Sequence, residues 1–204
     1  MKIEGKGEVA PARIKCPIDH ATLQYIIEQC DQMERFHRYA QSGTSWRRGF
    51  RKDAVLVGKL GEVGCASAIN LKMGCVAGVD LRVRPAGDSG IDMAPCGCRV
   101  DVKSETRRRP ELYVRSKRDD GAVIECNPDM IFCFMLVEHR ECPEFVGWLM
   151  GRGVMACPNQ PSPLPWAKHW NYVIPEYRLE PFRALVDLLE ARRLARGTPA
   201  LSRL

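Results

Sequence analysis

Ile91-Asp92-Met93-Ala94-Pro95-Cys96-Gly97-Cys98-Arg99-Val100-Asp101-Val102-Lys103 is the most strongly constrained stretch of this chain. With Cys96-Gly97 as a two-residue hairpin loop, Met93 faces Val100, Asp92 faces Asp101 and Ile91 faces Val102. Ile91, Met93, Val100 and Val102 then share one face, and Asp92, Arg99, Asp101 and Lys103 share the other. A register that separates apolar from polar side chains in this way is the one a half-buried hairpin selects. It also sets two carboxylates opposite each other, with Cβ atoms roughly 4.5–5.5 Å apart. Such like charges destabilise a hairpin unless one pKa rises, a cation approaches or a metal binds. Lys103 lies two residues beyond Asp101 and so on the same face.

These groups suit one chemistry. A hard divalent ion such as Mg²⁺ takes oxygen ligands and keeps several water positions open. Bound there, it would lower the pKa of a water and steady charge on a phosphate. Lys103 would deprotonate or orient the attacking water, or neutralise the developing charge.

Outward from the hairpin, residues 1–18 read as a loose or extended arm. A helix is expected from Asp19 to about Ala40, with Leu23, Ile26, Ile27, Cys30, Met33, Phe36 and His37 forming its apolar stripe. A second is expected from about Arg51 to Leu71, faced by Val57, Leu60, Gly64, Ala68 and Leu71. Gly58, Gly61 and Gly64 each weaken it by ~1 kcal/mol relative to Ala, which makes sense where another backbone approaches closely. Strands are expected at Val79–Val83, Ile91–Met93, Arg99–Lys103 and Leu112–Arg115. Ile131–Val137 is continuously apolar, as in a strand covered on both faces. Phe145–Leu149 is another strand, closed by Gly151-Arg152-Gly153. Residues 158–165 hold four prolines and read as loop. Pro181 opens a last helix faced by Phe182, Leu185, Val186, Leu188 and Leu189. The sum is a single domain of the α/β or α+β type, with helices around one mixed sheet.

Asp92 followed by Asp101-Val102-Lys103 resembles the PD-(D/E)xK nuclease superfamily. That family places an acid on one strand of a hairpin and an acidic-x-Lys triplet on the next. Gly58-Lys59-Leu60-Gly61-Glu62-Val63-Gly64 is similar to its helical G-x-x-G-E-like element, with Glu62 as the acid. Ile131–Val137, Phe145-Val146-Gly147-Trp148, Tyr172-Val173-Ile174-Pro175 and Leu179-Glu180-Pro181 resemble phage-type members. The chain departs from the pattern in having no Pro before Asp92 and Asp rather than Glu in the triplet. Asp88, in a Gly-Ser turn, and Asp80, on an earlier strand, compete for the first acid.

The resemblance implies a restriction-endonuclease-like core over residues 51–190, preceded by an arm and helix (1–50) and followed by a basic tail (191–204). It implies catalysis by Glu62, Asp92, Asp101 and Lys103. Mg²⁺ or Mn²⁺ would be held by Asp92, Asp101, the Val102 carbonyl and Glu62. The substrate would be DNA, and paired cuts would need a homodimer.

Composition agrees with a globular chain that meets nucleic acid. Its 204 residues are 45% hydrophobic and 27% charged, which excludes disordered and fibrous classes. The net charge of +6 is modest, but it is clustered at Arg47–Lys52, Arg107–Arg118 and Arg192–Arg196. The first two clusters are expected to grip phosphates. Trp166, Lys168, His169 and Trp170 could stack on bases or pack onto the sheet. The ten cysteines contain no CxxC pair and read as reduced core thiols. The four histidines lack ligand spacing, and neither Gly58-Lys59 nor Gly151-Arg152-Gly153 has Walker spacing. The longest apolar run, Met130–Val137, is far short of a spanning helix and the N-terminus is polar, so a cytoplasmic location is expected. Two rival readings remain: a nucleic-acid-binding module without catalysis, and a cysteine-ligated metal protein.

Overall fold

Ile131-Phe132-Cys133-Phe134-Met135-Leu136 contains no charged or hydroxyl-bearing residue, so as a strand it is stable only with both faces covered. In the computed structural model it is a strand, and all of it is buried. The structure describes residues 11–40, 52–74, 77–80, 91–108, 110–118, 121–124, 126–163 and 168–197.

In chain order the elements are β1 (Ile14–Lys15), α1 (His20–Ala40), α2 (Lys52–Met73), β2 (Val100–Glu105), β3 (Glu111–Lys117) and β4 (Ile131–Leu136). They continue with β5 (Glu144–Met150), α3 (Gly151–Met155), β6 (Asn159–Pro161), β7 (Trp170–Pro175) and α4 (Phe182–Ala195). A four-stranded mixed sheet has the order β1-β5-β4-β2, with β2 parallel to β4 and the other pairs antiparallel. A three-stranded antiparallel sheet has the order β3-β7-β6.

Alternation along β2 and β4 sends their side chains to two different cores. Val100, Val102, Ile131, Cys133 and Met135 pack with Cys65, Ala68 and Ile69 of α2 and with Leu185 and Leu189 of α4. Phe132, Phe134 and Leu136 pack with Leu112, Val114 and Ile174 of the smaller sheet. On the far side of α2, Leu23, Ile26 and Cys30 of α1 meet Leu56, Leu60 and Val63.

The α+β class stands, but several expected details change. Among the described residues there are two sheets rather than one. Residues 14–15 of the expected arm add to β5, and Cys16 and Ile18 continue the contact by donating to the Pro143 and Glu141 carbonyls at 2.8 and 2.9 Å. Asn159–Pro161, expected as loop, pairs with β7 as an edge strand, where Pro161 is tolerated. Gly151-Arg152-Gly153 begins a short helix instead of a turn. Ile91–Met93 is not a strand and keeps one bridge, Met93 to Val100. Leu71, expected on the apolar face of the second helix, is 76% exposed. Residues 81–90, with most of the expected strand at Val79–Val83 and with Asp88, lie outside the described residues, and Asp80 is exposed.

The glycines of α2 meet side chains more than backbone. A Cβ on Gly61 would collide with the Ser104 side chain, one on Gly64 would meet Pro143 at 3.1 Å, and one on Gly58 would meet nothing. Asp53–Met73 is long and apolar enough to cross a membrane by length and composition, and half of that stretch is buried inside the fold.

The two downstream motifs clip together. Trp148 and Glu180 exchange backbone hydrogen bonds of 3.1 and 2.9 Å, and the Trp148 indole N–H donates to the Pro181 carbonyl at 3.1 Å. This places the start of α4 against β5.

Candidate active site

The turn before β2 fixes where the site begins. Cys96 (φ 50°) and Gly97 (φ 72°) are both left-handed, and the Cys98 N–H donates to the Pro95 carbonyl at 2.9 Å. Positive φ at both central residues is the requirement of a type I′ hairpin turn. Met93 and Val100 then form the expected pair: each Val100 and Met93 N–H donates to the other's carbonyl, at 2.9 and 3.3 Å. Both side chains are buried on the α2 side.

Beyond that pair the expected ladder ends. The Val102 N–H donates to Asp92 Oδ2 at 2.5 Å. The Asp92 side chain thus takes the place of a backbone acceptor, as short polar side chains readily do. Its carboxylate caps the open edge of β2, where the simple hairpin would have stood it across from Asp101. A carboxylate bonded to a peptide N–H relieves the repulsion that the paired register would create.

Asp101 and Lys103 point away from α2, on the face that carries Phe132 and Phe134 in register. Lys103 Nζ lies 2.6 Å from Asp101 Oδ1. Asp101 is buried and Lys103 half-buried. The pair opens into a cleft of about 510 Å³ between the two sheets, also lined by Tyr113, Arg115, Asn127 and Asn171. Arg115, from the second basic cluster, therefore lines the same cleft as the carboxylate–ammonium pair. Cys126 borders it too; burial and the Asp101 charge push its thiol up, and Lys103 opposes them. Tyr113 and Asn171 were missed by the sequence reading, because stacking of β3 and β7 on the other sheet brings them in.

Glu62 is placed differently. It is buried on α2, the helix that covers the opposite face of β2, and its carboxylate pairs with Lys59 Nζ at 2.6 Å. Among the described residues no three His, Cys, Asp or Glu side chains are gathered as a metal-holding group. Glu62, Asp92 and Asp101 therefore do not form a three-carboxylate cluster.

A smaller oxygen set is the candidate for a hard cation. In a parallel ladder, the N–H and C=O of one strand residue point the same way. The Val102 carbonyl thus faces the same open edge as the Asp92 carboxylate. The bond to Val102 N also brings Asp92 Oδ2 within about 5 Å of the Asp101 Cα by backbone geometry. Two carboxylates and one carbonyl leave the coordination sphere of Mg²⁺ or Mn²⁺ open to water and phosphate oxygens.

The remaining candidates divide. Arg107 is exposed and Arg108 lies 3.8 Å from Glu144, while Arg109 and Arg47–Arg51 are outside the described residues. Lys117 Nζ sits 4.8 Å from the centre of the Trp170 ring, so Trp170 carries a cation on its exposed face. Cys16, Cys30, Cys65, Cys133 and Cys157 are buried, as expected of core residues. No family model, curated protein or solved structure matches the chain.

Proposed function

We propose that the chain is a metal-dependent deoxyribonuclease built on a restriction-endonuclease-like core. The observation that carries this reading is the Asp101–Lys103 pair at 2.6 Å, set in a cleft with Arg115 on a strand whose open edge is capped by Asp92. Asp92, Asp101 and the Val102 carbonyl would hold Mg²⁺ or Mn²⁺, and Glu62 is left out of that set. A bound ion there supplies Lewis acidity toward a phosphodiester and a water of lowered pKa.

The protein's own groups supply the rest. Arg115 grips a phosphate through its planar fork. Lys103, held by Asp101, orients the attacking water with its ammonium and neutralises charge as it develops on the phosphate. Tyr113 and Asn171 line the wall where sugar and base edges would lie. Burial of Asp101 beside Phe132 lowers the local dielectric and strengthens each of these interactions.

The test is cleavage of linear, branched and single-stranded DNA with Mg²⁺ or Mn²⁺. Wild type is expected to cut at least one substrate and Asp101→Asn none. Equal activity of the two on every substrate would overturn the reading. A second reading, nucleic-acid binding without hydrolysis, is favoured by the Lys59–Glu62 pair, in which the third acid already has a cationic partner. It predicts salt-sensitive binding with no metal-dependent products.

A further inference from the structure

The basic cluster at the end of α4 is not used by the site above, and the structure gives it a place. Phe182, Leu185 and Leu189 are buried and anchor α4 against the larger sheet. The end of the helix thereby meets the Cys96–Gly97 turn, and Arg196 Nη2 reaches the Gly97 carbonyl at 3.5 Å. A Cβ on Gly97 would collide with the Arg196 guanidinium, so the bare glycine is what admits it. Arg192 lies one helical turn back on the same face. Arg99, from the other side of the turn, completes a hollow of about 240 Å³ with Arg192 and Arg196.

Arginines in a last helical turn are ordinarily explained by the helix dipole. That explanation does not reach Arg99, which belongs to the approach to β2. Three arginines from two elements line one hollow, and Asp129 is the one carboxylate among the described lining residues. None of the three lies within 4.0 Å of a described carboxylate. A concave site lined by three arginines, with a charge excess, suits an oxyanion such as phosphate. Its position is informative: Arg99 precedes β2, and the hollow, lined by Ile131 and Leu188, lies on the α4 side of the sheet, the reverse of the face that carries the Asp101–Lys103 pair.

We infer that the Arg99–Arg192–Arg196 hollow binds a backbone phosphate of the nucleic acid at the start of β2, around the end of the sheet from the Asp101–Lys103 cleft. The inference rests on the nucleic-acid reading above but not on hydrolysis. It makes α4 part of the substrate track and gives the turn a task beyond closing a hairpin.

Fluorescence anisotropy of a labelled 20-base-pair duplex with the full chain in EDTA separates the two claims, since no metal-dependent cutting occurs. Arg192→Gln/Arg196→Gln is expected to bind on the order of tenfold more weakly at 0.1 M salt. The slope of log affinity against log salt should flatten by about 2. Arg99→Gln, on a different element, should weaken binding in the same direction. Arg140→Gln/Arg183→Gln removes the same charge from exposed positions elsewhere and should change affinity less than about twofold. Equal loss in the two double variants, unchanged affinity in the first, or no binding by wild type would overturn the inference. Retained binding dependence together with absent Mg²⁺ cleavage would instead overturn the nuclease reading and leave this site standing.

Discussion

Asp92 has two separable duties, and isosteric substitution distinguishes them. Its carboxylate accepts the Val102 N–H, a role an amide oxygen also fills. Asp92→Asn should therefore leave thermal stability near wild type while abolishing Mn²⁺ binding. Asp92→Ala leaves that N–H without its partner and should cost about 1–3 kcal/mol in denaturant unfolding. Equal stability of the two variants would contradict the capping role. A second residue-scale prediction concerns Cys16, whose thiol is pushed by burial up to about 12 from 9.0. The native state holds that proton more tightly than the unfolded chain. The stability it contributes is complete below pH 9 and is lost as pH rises from 9 towards 12. Unfolding midpoints taken from pH 8 to 10.5 should fall, and Cys16→Ala should remove part of the slope. The same thiol should resist alkylation at pH 8 while half-buried Cys142 reacts.

At the scale of elements, α2 offers a paired test. Gly58 has open space where a Cβ would stand, so Gly58→Ala should gain up to ~1 kcal/mol of helix propensity. Gly61 faces Ser104 on β2 and Met135 on β4, so Gly61→Val should cost about 1–3 kcal/mol through overpacking. Chemical denaturation of both variants decides it, and a stable Gly61→Val would mean that α2 does not seat there. Three glycines spaced by three announced a close approach, but which of them makes contact depends on how the helix is rotated, and that is set by the sheet. The hairpin shows the same division. Apolar alternation and the Cys96-Gly97 pair marked the turn and the Met93–Val100 register. The break after it comes from one side-chain acceptor, which periodicity does not register. β6 escaped notice because Asn159, Gln160 and Pro161 have little strand character and gain it from pairing with β7.

At the scale of the whole molecule, the candidate site is a product of stacking. Asp101 and Lys103 were legible because they sit two apart on one strand with an apolar neighbour between them. Arg115, Tyr113 and Asn171 join them because the β3-β7-β6 sheet packs on Phe132, Phe134 and Leu136. Pairings between residues so distant in sequence leave no local trace. Glu62 is a different case: a motif-like position whose carboxylate pairs with Lys59 one turn away on the same helix. The central claim is that the edge of β2 holds a divalent ion between Asp92 and Asp101. Isothermal titration of the full chain with Mn²⁺ tests it most directly. One site per chain is expected, lost in both Asp92→Asn and Asp101→Asn and kept in Glu62→Gln. Binding heat that is absent from wild type, or unchanged in the two aspartate variants, would contradict the account.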